Sequence, residues 1–128
     1  SPFFYGEKTE KFYMLCLDTK STVIKLVKLS SGIPQEVRVD VRDVVDNALK
    51  YKAVSVVVAH NHPSGDVSPS VQDVELTRAI AAALQLIKIK LADHYIFSDF
   101  GYCSFVEDGV GGQIQQNVNN FLKDGIKY

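Results

Sequence analysis

Residues Val54 to Gly65 read VSVVVAHNHPSG, and the fold follows from where that run changes character. Apart from Ser55, Val54 to Ala59 is apolar and rich in β-branched side chains, as a central strand covered on both faces requires. It runs straight into His60. From Asn61 to Pro69 the chain carries Pro63, Gly65 and Pro69, which cannot continue a central strand and impose an irregular loop. Beyond the loop, Ser70 stands at the N-cap of a long helix whose apolar stripe is Leu76, Ile80, Ala83, Leu84 and Ile87.

Working outward from this unit, Asp40 caps a helix with Val41, Val44, Val45, Ala48 and Leu49 on one face. Before it, Gln35 to Val39 alternates polar and apolar residues as a strand does. Phe12 to Asp18 and Thr22 to Leu29 are β-rich runs around the polar turn Thr19-Lys20-Ser21, which predicts a hairpin. Downstream, Lys88 to Ser98 and Tyr102 to Val106 read as two strands joined at Asp99-Phe100-Gly101. The order β-β-β-α-β-α-β-β predicts an α/β domain with a mixed sheet flanked by helices. That domain is expected over residues 1–109. Gly109, Gly111 and Gly112 then form a joint to a tail, residues 110–128, where Ile114, Val118, Phe121 and Leu122 recur at the spacing of a short amphipathic helix.

The totals narrow the function classes. A chain of 128 residues with 46% apolar content supplies one core of ordinary size. Its 14 basic and 15 acidic side chains are dispersed and nearly cancel, which gives no footprint for phosphate-backbone binding. No apolar run is long enough to cross a bilayer, and Ser1 to Leu17 lacks the basic start and unbroken apolar core of a leader. The expectation is a soluble, cytoplasmic protein. Cys16 and Cys103 sit singly in apolar runs without a C-x-x-C spacing, so they are read as two buried, reduced thiols.

Chemistry concentrates around the loop. In extended backbone, residues two apart project to the same side, so His60 and His62 can aim both imidazoles at one point. The compact turn that follows can return the carboxylate of Asp73, in the first turn of the next helix, to the same place. Two nitrogens and one oxygen leave a fourth position open on a tetrahedral ion, the pattern of a catalytic rather than a structural zinc site. A general base that is not a ligand is then required, and Glu10, just before the first strand, is the best candidate, with Glu7 its competitor. Ser70, at the mouth of the same helix, can donate to a developing oxyanion.

Each residue also has a plainer reading. Ser70-Val71-Gln72-Asp73 is an ordinary capping box, the two histidines can be loop residues, and Glu10 alone reads as a solvated charge. Their joint spacing weighs against coincidence, since His-x-His, seven residues, then Ser-x-x-Asp arises by chance in such a chain on the order of once in a few thousand. His94, beside Asp93 in an expected strand, is read as a structural hydrogen-bonding imidazole outside the metal shell. Asn61 and Ser64 read as turn residues.

Glu10-Lys11-Phe12, Leu17-Asp18, AHNHPSG (Ala59 to Gly65), PSVQD (Pro69 to Asp73), ADHYIF (Ala92 to Phe97) and YCSF (Tyr102 to Phe105) together resemble the RadC family, a bacterial branch of the JAMM (MPN+) metalloprotease-like domains. That family's signature is a Glu followed later by H-x-H-x(7)-S-x-x-D. The resemblance spans about Glu7 to Gly109 and implies a mixed sheet of the cytidine-deaminase-like type. It also implies zinc on His60, His62 and Asp73, with Glu10 rather than Glu7 as base and Ser70 as oxyanion donor. RadC-like proteins are named for DNA repair, but nothing in the charge supports DNA contact by these residues. The leading expectation is a zinc hydrolase of the RadC/JAMM type that cleaves an amide or isopeptide bond in an unidentified peptide or protein substrate. The alternatives are a partner-binding module of a DNA repair-related protein, or a metal-dependent nuclease.

Overall fold

In a computed structural model of the chain, residues 9–30 and 39–109 are described. They form β1 (Phe12–Leu17), β2 (Val23–Ser30), α1 (Val41–Lys50), β3 (Ser55–Asn61), α2 (Val71–Leu86), β4 (Lys90–Ser98) and β5 (Gly101–Ser104). The strands make one mixed sheet in the order β2-β1-β3-β4-β5. Of the expected third strand, residues 35–38 lie outside the described residues and Val39 is not in a strand; the tail helix also lies outside them. No described helix is long and apolar enough to cross a membrane.

The expected hairpin joins β1 and β2 antiparallel, with Met14 opposite Val27. Asp18 closes the turn by accepting from the backbone N–H groups of Lys20 and Thr22. β1 also pairs antiparallel with β3, setting Phe12 beside His60, Met14 beside Val58 and Cys16 beside Val56. β3 and β4 run parallel, which requires a crossover, and α2 supplies it. Because side chains alternate along a strand, Val56, Val58 and His60 share one face of the sheet.

That face carries the core. Phe12, Met14, Cys16, Val56 and Val58 pack with Val44 and Ala48 of α1 and with Ile80 and Leu84 of α2. A second cluster joins Ala81 of α2 to Ile96, Cys103 and Phe105 beneath β4 and β5. Both cysteines are buried and free, as expected. The Asp40 side chain accepts from Arg42 N–H and starts α1 at the expected place.

Of the differences from the sequence reading, three have a plain local reason. β3 continues through His60 to Asn61, because Phe12 of β1 and Ile96 of β4 remain available as neighbours on its two sides. The buried face of α2 is Thr77, Ile80, Ala81 and Leu84, with a hydroxyl among the apolar groups, while Ile87 caps the helix and is 37% exposed. Lys88 does not open β4. With φ at 61° it ends α2, its N–H bonding to the Gln85 carbonyl while Ile89 N–H bonds to that of Leu84. This is the paired C-terminal bonding that a glycine usually supports, here made by a lysine, so no glycine marked the stop.

Candidate metal centre

The site lies where the parallel strands β3 and β4 end and α2 begins, the end of an open α/β sheet at which ligands commonly bind. His60 is the next-to-last residue of β3, 2% exposed, with its ring stacked on Phe12 at 5.4 Å between centroids. His62 follows the strand, anchored by its N–H to the carbonyl of Phe97 at the end of β4. The loop then turns through Gly65 at φ 94°, where a Cβ would meet the Phe100 ring at 3.3 Å, so both the backbone and the space favour glycine.

α2 brings Asp73 back to the histidines. Ser70 Oγ accepts from Asp73 N–H at 3.0 Å, and Asp73 Oδ2 accepts from Ser70 N–H at 2.9 Å. The capping box is therefore real, and it does not exhaust Asp73. Its Oδ2 is also 3.1 Å from His62 Nε2, its Oδ1 is 3.2 Å from His60 Nε2, and the two Nε2 atoms are 3.1 Å apart. One carboxylate thus serves the helix cap and faces both imidazoles. Glu10 joins it, since a carboxylate oxygen of Glu10 and a ring nitrogen from each of His60 and His62 all lie within 4.8 Å of one another.

Two imidazole nitrogens and the two oxygens of one carboxylate crowd one point, an arrangement that a cation between them would stabilise. Donors on a tetrahedral ion with bonds of about 2.0–2.1 Å stand roughly 3.3 Å apart, close to the separations seen here. Nitrogen and carboxylate donors also suit zinc. The residues thus fit a divalent ion. The electrostatics agree in direction: burial pushes the Asp73 carboxyl up, but His60, His62 and the Ser70 N–H outweigh it and hold the carboxyl well below its ordinary range. Hydrogen bonding to Asp73 raises His62 in turn, against a partial opposing effect of burial.

Behind the front rank, both histidines are held by their other nitrogens. His62 Nδ1 lies 2.7 Å from the Asp66 carbonyl, and His60 Nδ1 lies 2.8 Å from Nε2 of His94. His94 is 1% exposed, stacked on Phe105, and its Nδ1 is 2.6 Å from Thr77 Oγ1. It is a structural, hydrogen-bonding imidazole as expected, but its partner is the site itself. Thr77 was not singled out by the sequence reading; its signal was a hydroxyl on an otherwise apolar helical face, one turn beyond Asp73. Asn61 is not turn chemistry either. It is 2% exposed, accepting from Lys11 N–H at 2.6 Å and donating to the Thr9 carbonyl at 2.9 Å, and so grips the backbone on both sides of Glu10. Ser64 Oγ lies 3.4 Å from Asp66 N, a long turn contact that matches its expected role.

With this geometry in view, comparison with known proteins is specific. Residues 2–110 match the RadC-like JAB domain, and the chain belongs to that family. The five-stranded mixed sheet with its two described helices is an α/β fold of the JAB/MPN type. A UPF0758 protein of Acinetobacter baumannii is 42% identical over 102 residues, covering 80% of this chain and 43% of its own length. One from Porphyromonas gingivalis is 38% identical over 111 residues, covering 86% of this chain and 49% of its own length. One from Geotalea uraniireducens is 36% identical over 107 residues, covering 84% and 47%. The chain spans about half the length of these curated relatives, or slightly less.

Proposed function

We propose that this domain is a zinc-dependent hydrolase that cleaves an amide or isopeptide bond, with His60, His62 and Asp73 as metal ligands. The observation that carries the reading is the convergence of the two Nε2 atoms and the Asp73 carboxylate within 3.1–3.2 Å, with a Glu10 oxygen within 4.8 Å of the histidine nitrogens. Zinc bound there supplies Lewis acidity, which polarises a carbonyl and makes water a nucleophile near neutral pH.

The side chains supply the rest. Glu10 is half-buried and held in place through the backbone at Thr9 and Lys11; it takes the proton from the attacking water and returns it to the leaving amine. Ser70 Oγ already accepts from Asp73 N–H, so its own proton is the one it can donate to the oxygen that gains charge. A small, mainly polar cleft lies beside His62, lined by Asn61, Pro63, Gly65, Phe97, Ser98, Asp99 and Phe100.

The test is metal analysis together with a substrate panel of peptides, isopeptide-linked conjugates and nucleic acids. Purified protein is expected to hold stoichiometric zinc and to act on the peptide or isopeptide arm. Glu10→Gln should retain zinc and lose at least about a hundredfold in turnover, the scale of general-base catalysis. Full activity in that variant would remove Glu10 as the base. Loss of zinc in His60→Ala is expected, and wild-type protein without a bound divalent ion would overturn the reading as a whole. Activity confined to nucleic acid would make the domain a nuclease instead, and zinc binding without turnover would favour a partner-binding module.

A further inference from the structure

A histidine that holds a metal through Nε2 must carry its own proton on Nδ1, and a partner that can only accept makes that choice automatic. His62 has such a partner in the Asp66 carbonyl. His60 does not. Its Nδ1 faces another imidazole, Nε2 of His94 at 2.8 Å, and an imidazole nitrogen can be donor or acceptor. Taken alone, the pair is ambiguous: a proton on His94 Nε2 would make His60 Nδ1 the acceptor and put the proton of a neutral His60 on the nitrogen that faces Asp73.

Thr77 breaks the tie. Its Oγ1 lies 2.6 Å from the Asp73 carbonyl and 2.6 Å from His94 Nδ1. A carbonyl cannot donate, and two oxygens at that separation repel unless a proton lies between them, so the hydroxyl proton goes to Asp73 O. The hydroxyl then presents a lone pair to His94, and His94 Nδ1 must carry the hydrogen. The His94 ring is enclosed by Phe12 and Phe105 and is 1% exposed, a setting that disfavours a second, charging proton and leaves the ring one to place. Its Nε2 is therefore an acceptor.

We infer that Thr77 and His94 are positioning residues that hold His60 in the Nδ1–H tautomer, which turns its Nε2 lone pair toward His62 and Asp73. The chain of bonds begins at the backbone carbonyl of Asp73 and ends at the nitrogen facing the carboxylate of the same residue. The role in metal binding rests on the ligand reading above; the tautomer itself does not.

The experiment is long-range proton–nitrogen NMR on metal-free protein with labelled histidine at alkaline pH, which reports the protonated nitrogen of each ring. Wild type should show Nδ1–H at both His60 and His94. In Thr77→Val, His94 should acquire Nε2–H character and push the His60 proton to Nε2, and Thr77→Ser should restore the original pattern. Thr77→Ala is read the same way should valine disturb the packing. With zinc alone as the probe, affinity in competition with a chelator should fall about 10- to 100-fold in Thr77→Val and return in Thr77→Ser. A merely structural threonine would alter melting without moving the tautomer. Nε2–H at His60 in wild type, or an unchanged His60 tautomer in a folded Thr77 variant, overturns the inference. Wild-type protein with both Nδ1–H tautomers but no affinity for zinc would instead remove the metal-site reading and leave the relay intact.

Discussion

At the scale of single residues, the site depends on side chains that serve the backbone as much as on those that face a ligand. Asn61 is flanked by the two site histidines, yet it points away from the convergence point and uses both ends of its amide on Thr9 and Lys11. Asn61→Asp would replace a donor by a second acceptor and set it against the Thr9 carbonyl. The expected cost is roughly 1–3 kcal/mol in urea unfolding, with reduced turnover as Glu10 loses its frame; unchanged stability would show that the amide bonds are dispensable. The thiols make a second prediction. Burial, followed by Asp108, pushes Cys103 up to about 12 from an ordinary value of 9.0, and burial also raises Cys16. Both should resist alkylation in the folded protein at neutral pH and react once it is unfolded. Between about 9 and about 12 the unfolded chain has released thiol protons that the folded chain retains. Stability contributed by the protonated thiol is thus complete below that window and lost as pH rises through it, which a series of melts at alkaline pH would record.

Among the elements, α2 is the one in which structure and chemistry coincide. Its capping box satisfies backbone groups at the helix start and fixes the Asp73 carboxylate at the positive end of the helix. One turn on, Thr77 reaches back to the Asp73 carbonyl and forward to His94. Ser70→Ala removes the cap, and an expected loss of about 1 kcal/mol measured by denaturant unfolding is separable from any loss of turnover. An equal stability would mean that the Ser70 hydroxyl has no capping role. β4 is held just as locally, since Asp93 accepts from His94 N–H, from Val106 N–H and from the Ser104 hydroxyl and so ties the strand to the turn after β5. This clamp keeps His94 in register opposite Val58, two residues before His60.

For the whole molecule, the site draws on β3, the loop after it, α2 and the segment before β1, so an ion bound there would join parts far apart in the sequence. If the ligand set is as proposed, zinc at a hundredfold excess over its dissociation constant should stabilise the wild type by about 2.7 kcal/mol, and chelation should reverse this. His60→Ala should show no zinc-dependent shift in melting; a shift equal to that of wild type would mean that zinc binds elsewhere. Much of this architecture was legible beforehand. The apolar run ending at His60, the breakers Pro63, Gly65 and Pro69, and the helical spacing after Ser70 determined a strand, a loop and a helix, because backbone preference and alternation act between near neighbours. They also brought His60, His62 and Asp73 within reach of one another. What the residues face was not determined in this way. Asn61 meets Lys11 across 50 positions, His60 meets His94 across 34, and Thr77 meets His94 across 17. Periodicity reports which side of an element a residue occupies, whereas its partner depends on which strands become neighbours and in what register. Only the tertiary structure decided that, and with it how Glu10 is held and how the proton on His60 is placed.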